Sequence, residues 1–218
     1  MTKLGENGSA CYCFPKGCIV GPLVVAGVSI ERRSLDRLVD LGVRDSKLLR
    51  PKMRATLYGE IKNVCKVVYY HITPQEIDDY VKKGKKYRKL NYLEAIYMAK
   101  VVDRLNASKV YVDSPDINPR RFSEVVTEMI DSDSLIVAEH YADRNHAVVS
   151  AASIIAKVER DAAVAKLRLE HGEFGSGYPS DPKTVAFLRE WVKARKTVPS
   201  FTRSSWKSWD RIKQTLLS

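Results

Sequence analysis

Apolar residues run almost unbroken through CIVGPLVVAGVSI, residues 18–30. A run too apolar for a half-exposed strand predicts a central one, with Gly21-Pro22 as a bend or bulge near its start. KVVYYHI, 66–72, predicts another strand. Over 90–105 the period becomes helical and places Leu93, Ile96, Tyr97, Val101 and Leu105 on one face. SKVYVD, 108–113, is a short predicted strand ending in an acid. Asn118-Pro119 then reads as a helix cap with proline at the first helical position. The helix after it carries Phe122, Val125, Val126, Met129 and Ile130 on one side. SLIVAEHYAD, 134–143, is a second strand that again ends in an acid. A strand, helix, strand unit joins parallel neighbours in the right-handed sense, which makes the chain an α/β protein.

That order has a chemical consequence. If the two strands are neighbours, Asp113 and Asp143 both lie just beyond the carboxyl edge of the sheet, where α/β proteins place ligands. Strands about 4.8 Å apart let two carboxylates share or bracket a metal. Oxygen ligands favour Mg or Mn over zinc. The plainer alternative is that each acid caps the turn that follows it. VVSAASIIAKVERD, 148–161, opens a helix whose Ser150, Ser153, Lys157 and Arg160 share a stripe, with Ile155, Val158, Ala162 and Ala165 opposite. Small residues at its start allow close packing on the sheet and point hydroxyls and a lysine toward the acidic edge. Metals with cations for the scissile phosphate are what phosphodiester hydrolysis needs.

Charge strengthens the nucleic-acid reading. The chain of 218 residues has 37 Lys and Arg against 26 Asp and Glu, a net charge of +11, which favours a polyanionic partner. From Pro182 onward, nine basic residues face Glu190 and Asp210 and are interleaved with Trp191, Phe201, Trp206 and Trp209, a mixture suited to a phosphate backbone. KKGKKYRK, 82–89, reads as a mobile basic loop. No stretch reaches the roughly 20 apolar residues of a membrane span, and the N-terminus lacks a signal-peptide pattern, so a cytoplasmic protein without membrane contact is expected. A monomer is expected as well, since no exposed apolar stripe asks for a second copy. The spacing of Cys11, Cys13, Cys18 and Cys65 fits no common structural zinc site, and buried, inert thiols are expected.

Five blocks, GCIVGPLVVAGV, VRDSKLL (43–49), VYVDSPDINPRRF (110–122), HYADRNHAVVSAASIIAKVERD (140–161) and GSGYPSDPKT (175–184), resemble ribonuclease HII in its archaeal-like form, in the family's own order. The resemblance covers 17 to about 210. It implies a ribonuclease H-like mixed sheet flanked by helices over residues 1–170 and a small helical C-terminal lobe over 171–218. It implies endonucleolytic cleavage of the RNA strand of RNA·DNA hybrids and at ribonucleotides embedded in duplex DNA, leaving 5'-phosphate and 3'-hydroxyl ends. By position, Asp113 and Asp143 resemble the family's metal-binding catalytic aspartates. Tyr178 resembles the tyrosine that stacks at the RNA to DNA junction. Lys47 matches a lysine near the substrate phosphates, and Arg203 and Lys207 lie in the duplex-contacting tail. Ser150, Ser153 and Lys157 fall on the helix that follows the last catalytic acid.

The family's first strand bears Gly-x-Asp-Glu-x-Gly-Arg-Gly, with two carboxylates and a loop that reads the ribose 2'-hydroxyl. Here that motif falls on ACYCFPKG, 10–17. Tyr12 and Cys13 stand at the acid positions, and Pro15 and Lys16 replace Gly and Arg, leaving Gly17. Tyrosine is a poor ligand at neutral pH, a thiolate is softer than Mg prefers, and proline removes an N–H donor from the loop. Three explanations stay open: Glu6 as a substitute metal ligand, a relative that binds hybrid or RNA duplexes without cleaving them, or an N-terminal stretch of about 16 residues out of frame with the rest.

Overall fold

The computed structural model describes residues 7–14, 18–43, 49–83 and 90–214, with the backbone alone at 7–14 and at Arg211, Lys213 and Gln214. The chain forms two compact units, each drawn from separated segments. The first comprises the described residues of Met1–Phe14, Val24–Tyr70 and Asn91–Val158; the second comprises those of Pro15–Leu23, His71–Leu90 and Glu159–Ser218.

The first unit is built on a mixed sheet. Its strands are β1 (Asn7–Phe14), β2 (Leu23–Glu31), β3 (Lys66–Ile72), β4 (Lys109–Asp113) and β5 (Leu135–Glu139), in the order β3-β2-β1-β4-β5. β1 runs antiparallel to β2 and parallel to β4, and β4 runs parallel to β5. The parallel crossover is right for its sequence: Asn118 accepts from the Arg121 amide and Pro119 opens α5 (Pro119–Thr127), which buries Phe122 and Val126. The apolar run is strand only from Leu23. Gly21 takes φ +86°, which ends pairing there, and Val20 makes an isolated bridge to Thr202.

Helices α1 (Leu35–Asp40) and α2 (Pro51–Val64) belong to this unit, as does α4 (Leu90–Leu105) from Asn91 onward. The buried face of α4 is Leu93, Ala95, Met98, Val101, Val102 and Leu105; Ile96 and Tyr97, expected on that face, are half-buried at its flank. After a four-residue α6 (Ala142–Asn145), α7 (Ala147–His171) begins with Val149, Ala151, Ala152, Ile154, Ile155 and Ala156 all buried. They join Val24, Ala26 and Val28 of β2 and Leu57 and Ile61 of α2 in one core. Alanine and serine at the start of α7 make this possible, because a small side chain lets the helix axis approach a pleated surface closely.

The second unit packs α3 (Pro74–Lys83), the later turns of α7, α8 (Pro182–Arg195) and α9 (Lys207–Gln214). Its core is Ile19, Val20, Val164, Phe174, Leu188, Phe201, Trp209 and Ile212. Asp78 of α3 accepts from the Ser204 amide at 2.7 Å and the Ser205 amide at 2.9 Å, fixing the segment that leads into α9. Lys82 and Lys83, expected in a basic loop, are the last turn of α3; residues 84–89 of that loop lie outside the described residues.

Candidate active site

Asp113 is the last residue of β4, paired in register with Glu139 at the end of β5. Asp143 does not end β5, although the sequence reading runs the strand from 134 to 143. The strand stops at Glu139, Tyr141 enters the left-handed region at φ 57°, and Asp143 falls in the first turn of α6. The turn serves the site. The Ala142 amide donates to Asp113 Oδ1 at 3.0 Å, and the Ser114 amide donates to the Glu139 carbonyl at 2.8 Å. Two segments from adjacent parallel strands are thereby stitched together at the carboxyl edge, with Asp113 half-buried and Asp143 2% exposed.

A neighbouring pair escaped the sequence reading. His146 Nε2 lies 2.9 Å from Glu139 Oε2, and the imidazole stacks on Tyr111 with centroids 4.0 Å apart. The signal was present, since Glu139 precedes the β5 turn and His146 follows α6, but nothing in the spacing showed that the turn folds one back on the other. Tyr141 is 62% exposed, and the Arg144 guanidinium lies 4.8 Å from its ring centroid.

Ser150, Ser153 and Lys157 are all buried on α7, at 1%, 0% and 6% exposure. The hydroxyl of Ser150 has no hydrogen-bond partner among the described residues, an orphaned polar atom of the kind that a bound group satisfies. β1 lies between β2 and β4, and its ladder with β4 reaches Cys11 opposite Val112. One residue further along both strands, Tyr12 stands level with Asp113. The position expected to hold a carboxylate is therefore at this rim in the backbone, and tyrosine occupies it.

Asp113 and Asp143 are hard oxygen donors whose chemistry fits a divalent ion such as Mg or Mn. Among the described residues no group of three or more His, Cys, Asp or Glu gathers as a metal cluster. The described donors thus fit a share in one ion and fall short of a two-ion set. Glu6, Lys16, Gly17 and Lys47 lie outside the described residues.

In the second unit the glycine-tyrosine loop is tightly tied. Gly175 and Gly177 have φ of +76° and +80°, a conformation that favours glycine. Asp181 accepts from the Ser176 amide at 2.6 Å and from the Lys183 amide at 2.9 Å, capping α8 while holding the loop. Those amides, Ser176 first, hold its carboxyl down to about 2. Tyr178 is half-buried, and burial pushes its phenol up, with the nearby Arg160 guanidinium opposing.

The basic tail differs from its reading. Arg203 is fully buried; its guanidinium donates to the carbonyls of Gly21 at 3.2 Å and Pro22 at 2.8 Å. A guanidinium enclosed in this way braces the chain and is not available to a duplex. Trp209 and Phe201 are core residues, and Trp191 packs against the same cluster. Three of the four rings counted as stacking surfaces are thus spent on the hydrophobic effect, while Trp206 is half-buried with the Arg203 guanidinium 5.1 Å from its ring centroid. Lys207 is exposed at the start of α9. Cys18 and Cys65 are buried free thiols, as expected; the side chains of Cys11 and Cys13 are outside the described residues.

A mixed five-stranded sheet with this order, and acids at the carboxyl ends of adjacent parallel strands, defines a ribonuclease H-like α/β protein. The family model for ribonuclease HII matches residues 15–209. Ribonuclease HII of Cenarchaeum symbiosum is 46% identical over 195 residues, covering 88% of this chain and 91% of the relative; that of Pyrococcus horikoshii is 38% identical over 202 residues, covering 91% and 89%. The crystal structure of ribonuclease H2 from Pyrococcus horikoshii superposes with a TM-score of 0.89 at 35% identity, covering 97% of this chain and 99% of that one. The PCNA:RNase HII complex from Archaeoglobus fulgidus matches with a TM-score of 0.84 at 39% identity, covering 92% and 95%. This chain belongs to the ribonuclease HII family. The family match begins at residue 15, just past Tyr12 and Cys13.

Proposed function

We propose that the chain is an endonuclease that cuts the RNA strand of RNA·DNA hybrids and the backbone at ribonucleotides embedded in duplex DNA, with Mg or Mn held by Asp113 and Asp143. The observation that carries the reading is the stitched rim of β4 and β5, where Ala142 binds Asp113 and brings the Asp143 turn to the same edge, in a chain of this family. Water adds at phosphorus and the bond to the 3' oxygen breaks, leaving 5'-phosphate and 3'-hydroxyl ends. A divalent ion, when bound, supplies charge neutralisation at the phosphate.

Asp113 and Asp143 orient that ion. Ser150, Ser153 and Lys157 present hydroxyls and a cation to the phosphate. Tyr178 stacks where ribose gives way to deoxyribose, and Lys207 meets the duplex backbone. The protein works as a cytoplasmic monomer; no helix among the described residues is long and apolar enough to cross a membrane.

Tyr12, level with Asp113, favours a second reading in which the chain binds hybrid or ribonucleotide-containing duplexes and cleaves them poorly or not at all. One titration decides. A duplex with a single ribonucleotide is presented with Mg or Mn: nicking at that ribonucleotide supports the enzyme, tight binding without nicking supports the binder, and a duplex neither nicked nor bound overturns both readings.

A further inference from the structure

Beneath the glycine-tyrosine loop lies a buried cation that the proposed chemistry does not use. Arg160, on α7, is 6% exposed. Its Nη2 donates to Cys18 Sγ at 2.8 Å and to the Ser176 carbonyl at 3.0 Å, and its Nη1 donates to Asp161 Oδ1 at 3.0 Å. The guanidinium carbon is 5.2 Å from the centroid of the Tyr178 ring. One side chain therefore touches the segment that enters β2 and both sides of the loop that carries Tyr178.

The surrounding contacts converge on the same joint. The Gly177 carbonyl accepts from the amides of Ile19 at 2.9 Å and Val20 at 3.1 Å, and from the Cys18 thiol at 3.0 Å. A Cβ on Gly177 would come to 3.2 Å from both Cys18 Sγ and Val20 Cβ, and to 3.5 Å from Arg160 Nη2, so there is little slack. A planar guanidinium serves two acceptors with one nitrogen only while both keep their register; an ammonium on a flexible stem does not impose that condition.

We infer that Arg160 is a positioning residue: it locks the Tyr178 loop to the Cys18 segment, and through that lock sets the preference for a ribose at the junction. The second half rests on the placement of Tyr178 under Proposed function. Removing the fork leaves the Ser176 carbonyl and the Tyr178 ring without their shared cation, and the loop gains freedom that substrate binding must then take away.

The test uses the full chain with Arg160→Lys, Arg160→Met and, as a milder cut that removes one acceptor, Cys18→Ala. Amide hydrogen exchange at 176–178 is read beside binding, by fluorescence anisotropy without metal, to a DNA duplex with one ribonucleotide and to the same duplex in DNA alone. Arg160→Lys is expected to speed loop exchange about tenfold and to lower the ribose preference about tenfold, with Cys18→Ala moving both in the same direction by less. A folded Arg160→Lys with unchanged exchange and unchanged preference overturns the inference. If the Arg160 variants do not fold, Cys18→Ala decides by the same two readouts. Faster loop exchange in a chain whose unmodified form shows no ribose preference upholds the lock and removes Tyr178 from the junction instead.

Discussion

The amide of Ala142 donates to Oδ1 of Asp113 at 3.0 Å, and this bond returns the turn after β5 to the end of β4. It makes the position of Asp143 depend on Asp113, because the turn has a left-handed non-glycine residue, Tyr141, that needs outside support to persist.

Asp113→Asn is accordingly expected to remove the metal-dependent nicking activity, by on the order of 100-fold or more, since it takes away the charge of a proposed metal ligand and weakens the acceptor of the Ala142 amide together. Nicking of a single-ribonucleotide duplex in Mg and Mn checks it. Full activity in this variant rules out the assigned role.

Restoring carboxylates on β1 gives the complementary result. A chain with Tyr12→Asp, Cys13→Glu, Pro15→Gly and Lys16→Arg is expected to nick at least about tenfold faster than the parent, because the four positive charges of two divalent ions then meet four carboxylates. If the restored chain is inactive, Asp113 and Asp143 are not the catalytic pair.

Alkaline stability reports on Cys65. Burial pushes its thiol up to about 11 from an ordinary value near 9. Between those values the folded chain holds a proton that the unfolded chain has released, so this contribution is complete below pH 9 and is lost as pH rises to about 11. Two units correspond to roughly 2–3 kcal/mol. Denaturant titrations from pH 8 to 11 should show a shallower decline for Cys65→Ala than for the parent; parallel declines would contradict the assignment.

At the acid end the group to watch is Asp181. Its carboxyl lies near 2 through hydrogen bonds from Ser176 and Lys183, so its stabilising effect is present above about 3.8 and disappears as pH falls toward 2. Asp181→Asn should raise amide exchange across 175–178 at neutral pH and remove the acid dependence of that exchange over this window. An unchanged profile would show that the cap does not hold the loop.

Much of this was legible from residue pattern. Helix α4 spans the residues its period marked, and the Asn118-Pro119 cap starts α5 as its chemistry requires, because both signals are local. The parallel pairing of β4 with β5 followed from the helix between them. What the pattern concealed depends on distant partners. Residues 134–143 read as one strand ending in an acid, yet the Asp113 carboxylate captures the Ala142 amide and the strand stops at Glu139. Arg203, Phe201 and Trp209 have the composition of a binding tail, and only the carbonyls at 21 and 22 and the apolar cluster around Ile19 show that they face inward. The pairing of His146 with Glu139 was hidden for the same reason.

The middle strand of the sheet is β1. β1 is zipped to Asn7–Phe14's neighbours on both flanks, Tyr12 opposite Ala26 on one side and Cys11 opposite Val112 on the other, through main-chain groups that every residue but proline carries alike. A ladder of that sort cannot distinguish an aspartate from a tyrosine. Architecture and reactivity are thus inherited by separate routes in this molecule: the scaffold can keep its shape through a rewritten stretch of sequence, and the loss or return of cutting power can pass without any trace in the topology.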